Sequence, residues 1–197
     1  MRGSKGKLLS LLKRRGASGF DFITDLHQSL YASQEFHRKK GELQLNIRKA
    51  RLEEASQLSD LSFRSKAHWG YSEEFMEACR QDLTITPAYL SEVHVFVAED
   101  EGEIKGFFGL EREEDRCLLN YLFVLPAAIG QGYGRALWCK MMEVAKELGV
   151  RTVQIHSDPY AEPFYLSMGA KRIGEIKSTV FAGRMLPLME AGVDRDL

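Results

Sequence analysis

Cysteine is scarce in this chain, with Cys79, Cys117 and Cys139 the only three among 197 residues. Their number is odd and no Cys-x-x-Cys spacing occurs, so neither a disulfide framework nor a zinc cluster is suggested, and no metal is expected. A reducing, cytoplasmic setting follows from that usage. Net charge is lacking too, at a formal −1 from 27 Lys+Arg and 28 Asp+Glu. No apolar run approaches the roughly eighteen residues that a membrane-spanning helix needs. Internal repeats and low-complexity segments are absent. What is present is an ordinary 44% of hydrophobic residues, suited to one domain of moderate size whose core needs no staples.

The first 42 residues differ from the rest. They hold nine Lys+Arg against four Asp+Glu, a net +5 that leaves the remainder at −6. Leu8-Leu9 and Leu11-Leu12 beside Lys13-Arg14-Arg15 could form a short basic amphipathic helix, the pattern of a membrane- or partner-binding arm. A start rich in Arg and Ser also has the composition of a targeting peptide, without an evident cleavage site. A poorly ordered or packing extension is the simpler expectation. Residues 1–42 are therefore set apart from a domain at 43–197, and no nucleic-acid partner is expected.

The most informative stretch is Asn120–Leu148. Tyr121-Leu122-Phe123-Val124-Leu125 has the composition of a buried strand, and Pro126 ends it. Three glycines follow in five residues, Gly130, Gly132 and Gly134. A helix begins at once, with Leu137, Met141, Val144 and Leu148 on one face and Gly149 placed to stop it. Strand, glycine loop and helix together can hold an anion, because the first helical N–H groups lack partners and glycine lets the backbone approach a phosphate. An ordinary glycine-rich turn has the same short pattern. Neither the Gly-Lys-Ser/Thr ending of a P-loop nor the acidic residue of a dinucleotide fold is present.

Ile129-Gly130-Gln131-Gly132-Tyr133-Gly134, preceded by Phe123-Val124-Leu125-Pro126, resembles the acyl-CoA signature of the GCN5-related N-acetyltransferases. Ile129 departs from it, standing where that family has Gln or Arg. That loop binds pyrophosphate mainly through main-chain N–H groups, so the departure weakens the motif more than the binding it implies. A second segment, Phe164-Tyr165-Leu166-Ser167-Met168-Gly169, is similar to the family's further CoA-contacting helix. Tyr160 stands near it where the family often has Asn.

The order of elements fits the same resemblance, which covers roughly Leu43 to Glu190. A strand at Gln44–Lys49 precedes a helix over Arg51–Phe63, and a second helix capped by Ser72 carries Met76, Cys79 and Leu83 on its apolar side. Thr86-Pro87 reads as an interruption. Strands at Val93–Val97, Ile104–Leu110 and Arg116–Leu125 are joined by Asp100-Glu101-Gly102-Glu103 and Glu113-Glu114-Asp115, an antiparallel meander. After the glycine-loop helix come strand Thr152–His156, expected parallel to its predecessor, a short helix Glu162–Met168, and closing strands Arg172–Ile176 and Arg184–Leu188. The fold class is α/β (α+β), a mixed and mostly antiparallel central sheet flanked by helices.

The resemblance implies direct attack of a primary amine, on a small molecule or a protein, on the thioester of acetyl-CoA as co-substrate. By position, Leu122, Phe123 and Val124 would lie along the pantetheine arm, and the Val124 N–H would polarise the thioester. Ile129, Gly130, Gln131, Gly132, Tyr133, Gly134 and Arg135 would hold the phosphates. Tyr165 would stand by the sulfur as acid, being protonated at neutral pH. No strand-four carboxylate is at hand to act as base. Leu118 stands at that level with Asn120 near it, so Glu111, His68, His94 or a water relay are the candidates. Arg64 to Tyr71 mixes basic and aromatic residues that could wall an acceptor pocket, favouring a carboxylate-bearing amine, or could simply close the core. The alternative function is a non-catalytic acyl-CoA-binding sensor or assembly module. A homodimer is left open.

Overall fold

The hairpin at Asp100–Glu103 shows how local chemistry builds this sheet. In the computed structural model, which describes residues 45–193, Asp100 pairs with Glu103 across a two-residue turn. Glu101 and Gly102 both take positive φ, 52° and 78°. A two-residue connection needs that hand to match the strand twist, and glycine supplies it at little cost.

Seven strands form one sheet: β1 Asn46–Lys49, β2 His94–Asp100, β3 Glu103–Arg112, β4 Arg116–Val124, β5 Thr152–His156, β6 Lys171–Lys177 and β7 Met185–Gly192. Their spatial order is β1-β2-β3-β4-β5-β7-β6. Every pairing is antiparallel except β4 with β5, which the intervening helix makes parallel. The helices are α1 Ala55–Ala67, α2 Glu73–Ala78, α3 Pro87–Glu92, α4 Tyr133–Glu147 and α5 Glu162–Ser167. Helix α4 packs on β2, β3 and β4, and α1 packs on β4. Residues 106–110 of β3 are buried in succession, as a central strand covered on both faces must be. Phe107, Phe108, Leu137, Met141 and Ile155 are fully buried between these layers.

Two expectations about the helices change. Thr86-Pro87 does not interrupt a helix but starts one. The Thr86 hydroxyl accepts from the Tyr89 N–H at 3.1 Å, and Pro87 fills the first turn, where no donor is needed. The Ser72-capped helix ends at Ala78 instead of running on to Leu83. Met76, Cys79 and Leu83 still share one buried cluster, reached through turns, with Phe75 and Phe181 against it. The basic segment over residues 1–42 lies outside the described residues.

A buried carboxylate ties the N-terminal part of this region to the sheet. Glu54 receives both guanidinium arms of Arg48, at 2.7 and 3.1 Å, and the Arg51 N–H at 2.7 Å. Arg48 also bonds Glu99 on β2 at 3.0 Å. Burial alone would raise the Glu54 carboxyl; the hydrogen bonds from Arg48 and Arg51 outweigh it and bring it from an ordinary 4.5 to about 2. A depressed carboxyl stabilises the fold above its unfolded value, and that contribution is lost as the pH falls through the folded one. Glu54→Gln should therefore cost about 2 kcal/mol at neutral pH. The difference from the unaltered protein should shrink between pH 4.5 and about 2, as read by denaturant titration at stepped pH. An unchanged difference across that window would assign the stabilisation to other groups.

Candidate functional site

Strands β4 and β5 run side by side only where Arg116–Leu119 face Thr152–Ile155. Past Leu119 they part, while β4 stays paired with β3 as far as Val124. One edge of residues 120–124 thus has no neighbouring strand, and its main-chain groups require a partner. At the parting Gly109 faces Tyr121 and Leu110 faces Leu119, leaving Asn120 as the extra, bulged residue.

The gap opens into a cavity of about 780 Å³, within the usual range for a small-molecule site. Leu122, Phe123 and Val124 line it along β4, with Ile129, Gly130, Gly132, Gly134 and Arg135 at one end and Tyr165 from α5. Gln131 and Tyr133 do not line it. The Gln131 amide turns back to the Ala127 carbonyl at 2.7 Å, and the buried Tyr133 places its hydroxyl 2.5 Å from Asp100. What these two offer toward the loop is main chain. Glu111 also stands outside the lining, but its carboxylate accepts from Asn120 Nδ2 at 2.8 Å, and Asn120 is in the wall. The same amide reaches the Tyr89 hydroxyl at 3.3 Å.

The glycine end is shaped for an anion. Gly132, with φ 95°, turns the chain into α4, and the Ala136 N–H closes on its carbonyl at 3.0 Å. N–H groups ahead of Ala136 in that turn find no carbonyl four residues back inside the helix, and the helix dipole adds positive potential there. Gly130, with φ 79°, carries no Cβ to crowd the approach. Arg135 adds a full positive charge. A pyrophosphate fits this end, and an extended arm fits the free edge of β4.

Tyr165 is 6% exposed and lines the cavity between those ends. Burial, with the nearby Asp158 charge, pushes its hydroxyl well above the ordinary phenol range, so it stays protonated. Its ring packs against Trp138 at 5.9 Å and Phe164 at 5.3 Å.

At the opposite end lies a cluster that only the fold assembles. Asp158, just after β5, accepts from Lys66 Nζ at 3.0 Å, the Tyr71 hydroxyl at 2.8 Å and the Tyr160 N–H at 3.0 Å. Arg184, in the turn before β7, donates to the Tyr71 hydroxyl at 2.9 Å. Burial alone would raise the Asp158 carboxyl, but the Lys66 ammonium and the two other donors hold it below its ordinary value. Tyr71 is pushed up to about 12 by burial and by the Asp158 carboxylate. Lys66 and Tyr71 belong to the segment singled out from sequence. Asp158 and Arg184 do not. Of the histidines, His68 packs edge-on to Trp69 at 5.4 Å and His94 pairs opposite Leu110, away from the cavity. His156 lines it instead, with burial favouring the neutral imidazole.

Among the described residues no group of three or more His, Cys, Asp or Glu is placed to hold a metal. None of their helices is long and apolar enough to cross a membrane.

A half-open parallel pair that leads onto a glycine-rich helix start is a site for a long ligand with an anionic end. The profile of the acetyltransferase (GNAT) domain family matches residues 55–184, and the chain belongs to that family. Solved structures agree on the fold. The PaiA N-acetyltransferase of Thermoplasma acidophilum, in complex with coenzyme A, is 18% identical with a TM-score of 0.66, over 76% of this chain and 99% of its own. A GCN5-related N-acetyltransferase from Rhodopseudomonas palustris is 21% identical at 0.65, over 75% and 95%. The ribosomal-protein-S18-alanine N-acetyltransferase of Escherichia coli is 17% identical at 0.58, over 77% and 96%. No curated protein matches the sequence.

Proposed function

We propose that this protein transfers the acetyl group of acetyl-CoA to a primary amine by direct attack. The observation that carries the proposal is one cavity lined by the free edge of β4, the glycine loop and first turn of α4, and a protonated Tyr165. The PaiA relative's complex with coenzyme A supports the same choice of co-substrate. Acetyl-CoA supplies the electrophilic thioester and the thiolate leaving group.

The chain's residues then have separable tasks. Main-chain groups of Leu122, Phe123 and Val124 hold the pantetheine arm, and the Val124 N–H polarises the thioester carbonyl. The loop from Ile129 to Arg135, including the Gln131 and Tyr133 main chain, holds the phosphates. Asn120, its amide N–H groups spent on Glu111 and Tyr89, keeps its carbonyl oxygen to accept from the attacking amine. The nitrogen forms its bond to the acetyl carbon as the C–S bond breaks, and its proton passes through water to the exposed Glu111 carboxylate or to bulk solvent. Tyr165 donates to the sulfur as negative charge collects there.

The deciding experiment supplies acetyl-CoA with amino acids, polyamines, aminoglycosides and peptides and follows free thiol. Thiol released only when an amine is present supports the enzyme. Coenzyme binding without release for any amine would support the alternative, a non-catalytic acyl-CoA sensor or assembly module. Glu111→Gln should leave coenzyme affinity unchanged and slow turnover about tenfold or more. Turnover equal to that of the unaltered protein would exclude Glu111 as the proton acceptor.

A further inference from the structure

The cluster around Asp158 in the cavity wall holds more hydrogen-bond donors than its own contacts use. Asp158 is nearly saturated, since Lys66, the Tyr160 N–H and both reaches of the Tyr71 hydroxyl, at 2.8 and 2.9 Å, occupy its oxygens. Two cations meet this single carboxylate. Arg184 Nη2 is 3.7 Å from it, beyond hydrogen-bond distance, and spends its one hydrogen bond on Tyr71. An ammonium has three donors and a guanidinium five. Lys66 uses one, and Arg184 Nε and Nη1 have no partner among the described residues.

Arg184 lies against two aromatic rings. Its guanidinium carbon lies 4.6 Å from the Phe75 ring centre and 5.2 Å from that of Tyr71. Phe75 stacks in turn on Phe181 at 4.5 Å. A guanidinium grips a carboxylate through two parallel bonds from its fork of N–H groups. Lys66 and Arg184 are only 17% and 20% exposed, and both line the cavity, so an anion bound there is partly desolvated and strongly attracted.

We infer that Lys66 and Arg184 form the recognition site for a carboxylate on the acceptor, so that the substrate is a small amine that also bears a carboxylate. The inference rests on the acetyl-transfer reading of the same cavity. Asp158 is the positioning residue, holding Lys66 and Tyr71 in place.

The test is steady-state thiol release from acetyl-CoA with the standard amino acids, each paired with its carboxamide and its decarboxylated amine. Free acids are expected to be acetylated with kcat/KM about tenfold or more above their neutral counterparts. Arg184→Gln should raise KM for the acid about tenfold or more, narrow the ratio of kcat/KM between acid and neutral counterpart by a similar factor, and leave coenzyme affinity intact by calorimetry. Arg184→Lys, which keeps the charge without the fork, should fall between the two. Neutral counterparts acetylated as well as the acids, or an Arg184→Gln variant that discriminates like the unaltered protein, would overturn the recognition site and leave the acetyl-transfer reading standing. Thiol release with polyamines, aminoglycosides or peptides but with no member of this panel would overturn the recognition site alone, and coenzyme binding without release for any of these amines would overturn both.

Discussion

Tyr165→Phe is expected to slow turnover by about two to three powers of ten, on the order of 3 to 4 kcal/mol of barrier, with coenzyme affinity nearly unchanged. The substitution keeps the ring that packs on Trp138 and Phe164 and removes only the hydroxyl. The structure also says what kind of donor this is. An ordinary thiol loses its proton near pH 8.5, below a phenol that burial and Asp158 have raised. Complete transfer from Tyr165 to the sulfur is therefore uphill, and the stabilisation comes from a strong hydrogen bond to the developing thiolate. For the same reason the phenol contributes no basic limb to the pH–rate profile in the ordinary working range. Single-turnover rates for the Phe variant close to those of the unaltered protein would make Tyr165 a packing residue.

Gly134→Asp should weaken coenzyme binding by about one to three powers of ten, while Gly134→Ala changes it little. Gly134 lines the cavity in the first turn of α4 and has no positive φ, unlike Gly130 and Gly132, where any side chain strains the backbone. A Cβ there meets Phe164 at 3.4 Å and Val124 at 3.9 Å, ordinary contacts. An acidic residue in a first helical turn favours the helix itself. The Asp variant thus keeps the fold and places a negative charge where the pyrophosphate is to bind. At roughly 4 Å that repulsion is worth about 1 to 4 kcal/mol, between the dielectric of water and that of a protein surface. Calorimetry with coenzyme A reads it directly. Equal affinity of the Asp and Ala variants would place the phosphates elsewhere.

The acceptor is the part of this protein that family membership leaves undetermined. The Escherichia coli relative is named for the alanine of a ribosomal protein, so one fold serves acceptors of different kinds. In this chain the proposed acceptor end would be built from α1, the turn after it, the segment after β5 and the turn before β7. These are the places where an insertion or a single substitution changes a pocket without disturbing the sheet.

Much of the architecture was written locally. The Glu101-Gly102 turn, the Ser72 cap, the stop at Gly149 and the helix that follows the glycines all depend on residues within one turn of each other. Composition and periodicity therefore expose them. Tyr165 and the β4 edge were reached through motifs of that same short range. Thr86-Pro87 was equally local and points to a helix start; the interruption read there gave the proline more weight than the cap that precedes it. Other features had no local signature. Strand β7 enters between β5 and β6, and β4 parts from β5 after Leu119, because pairing partners far apart in sequence compete for the same edges. The Lys66–Tyr71–Asp158–Arg184 cluster draws on positions up to 118 residues apart. No periodicity links them, and their charges meet only because the crossovers bring α1 and the last hairpin to the mouth of one cavity. The amino-acid order by itself determined which elements form and where a phosphate could bind. Tertiary packing alone decided which charges face one another there, because electrostatic partners are chosen by distance through space and not by separation along the chain.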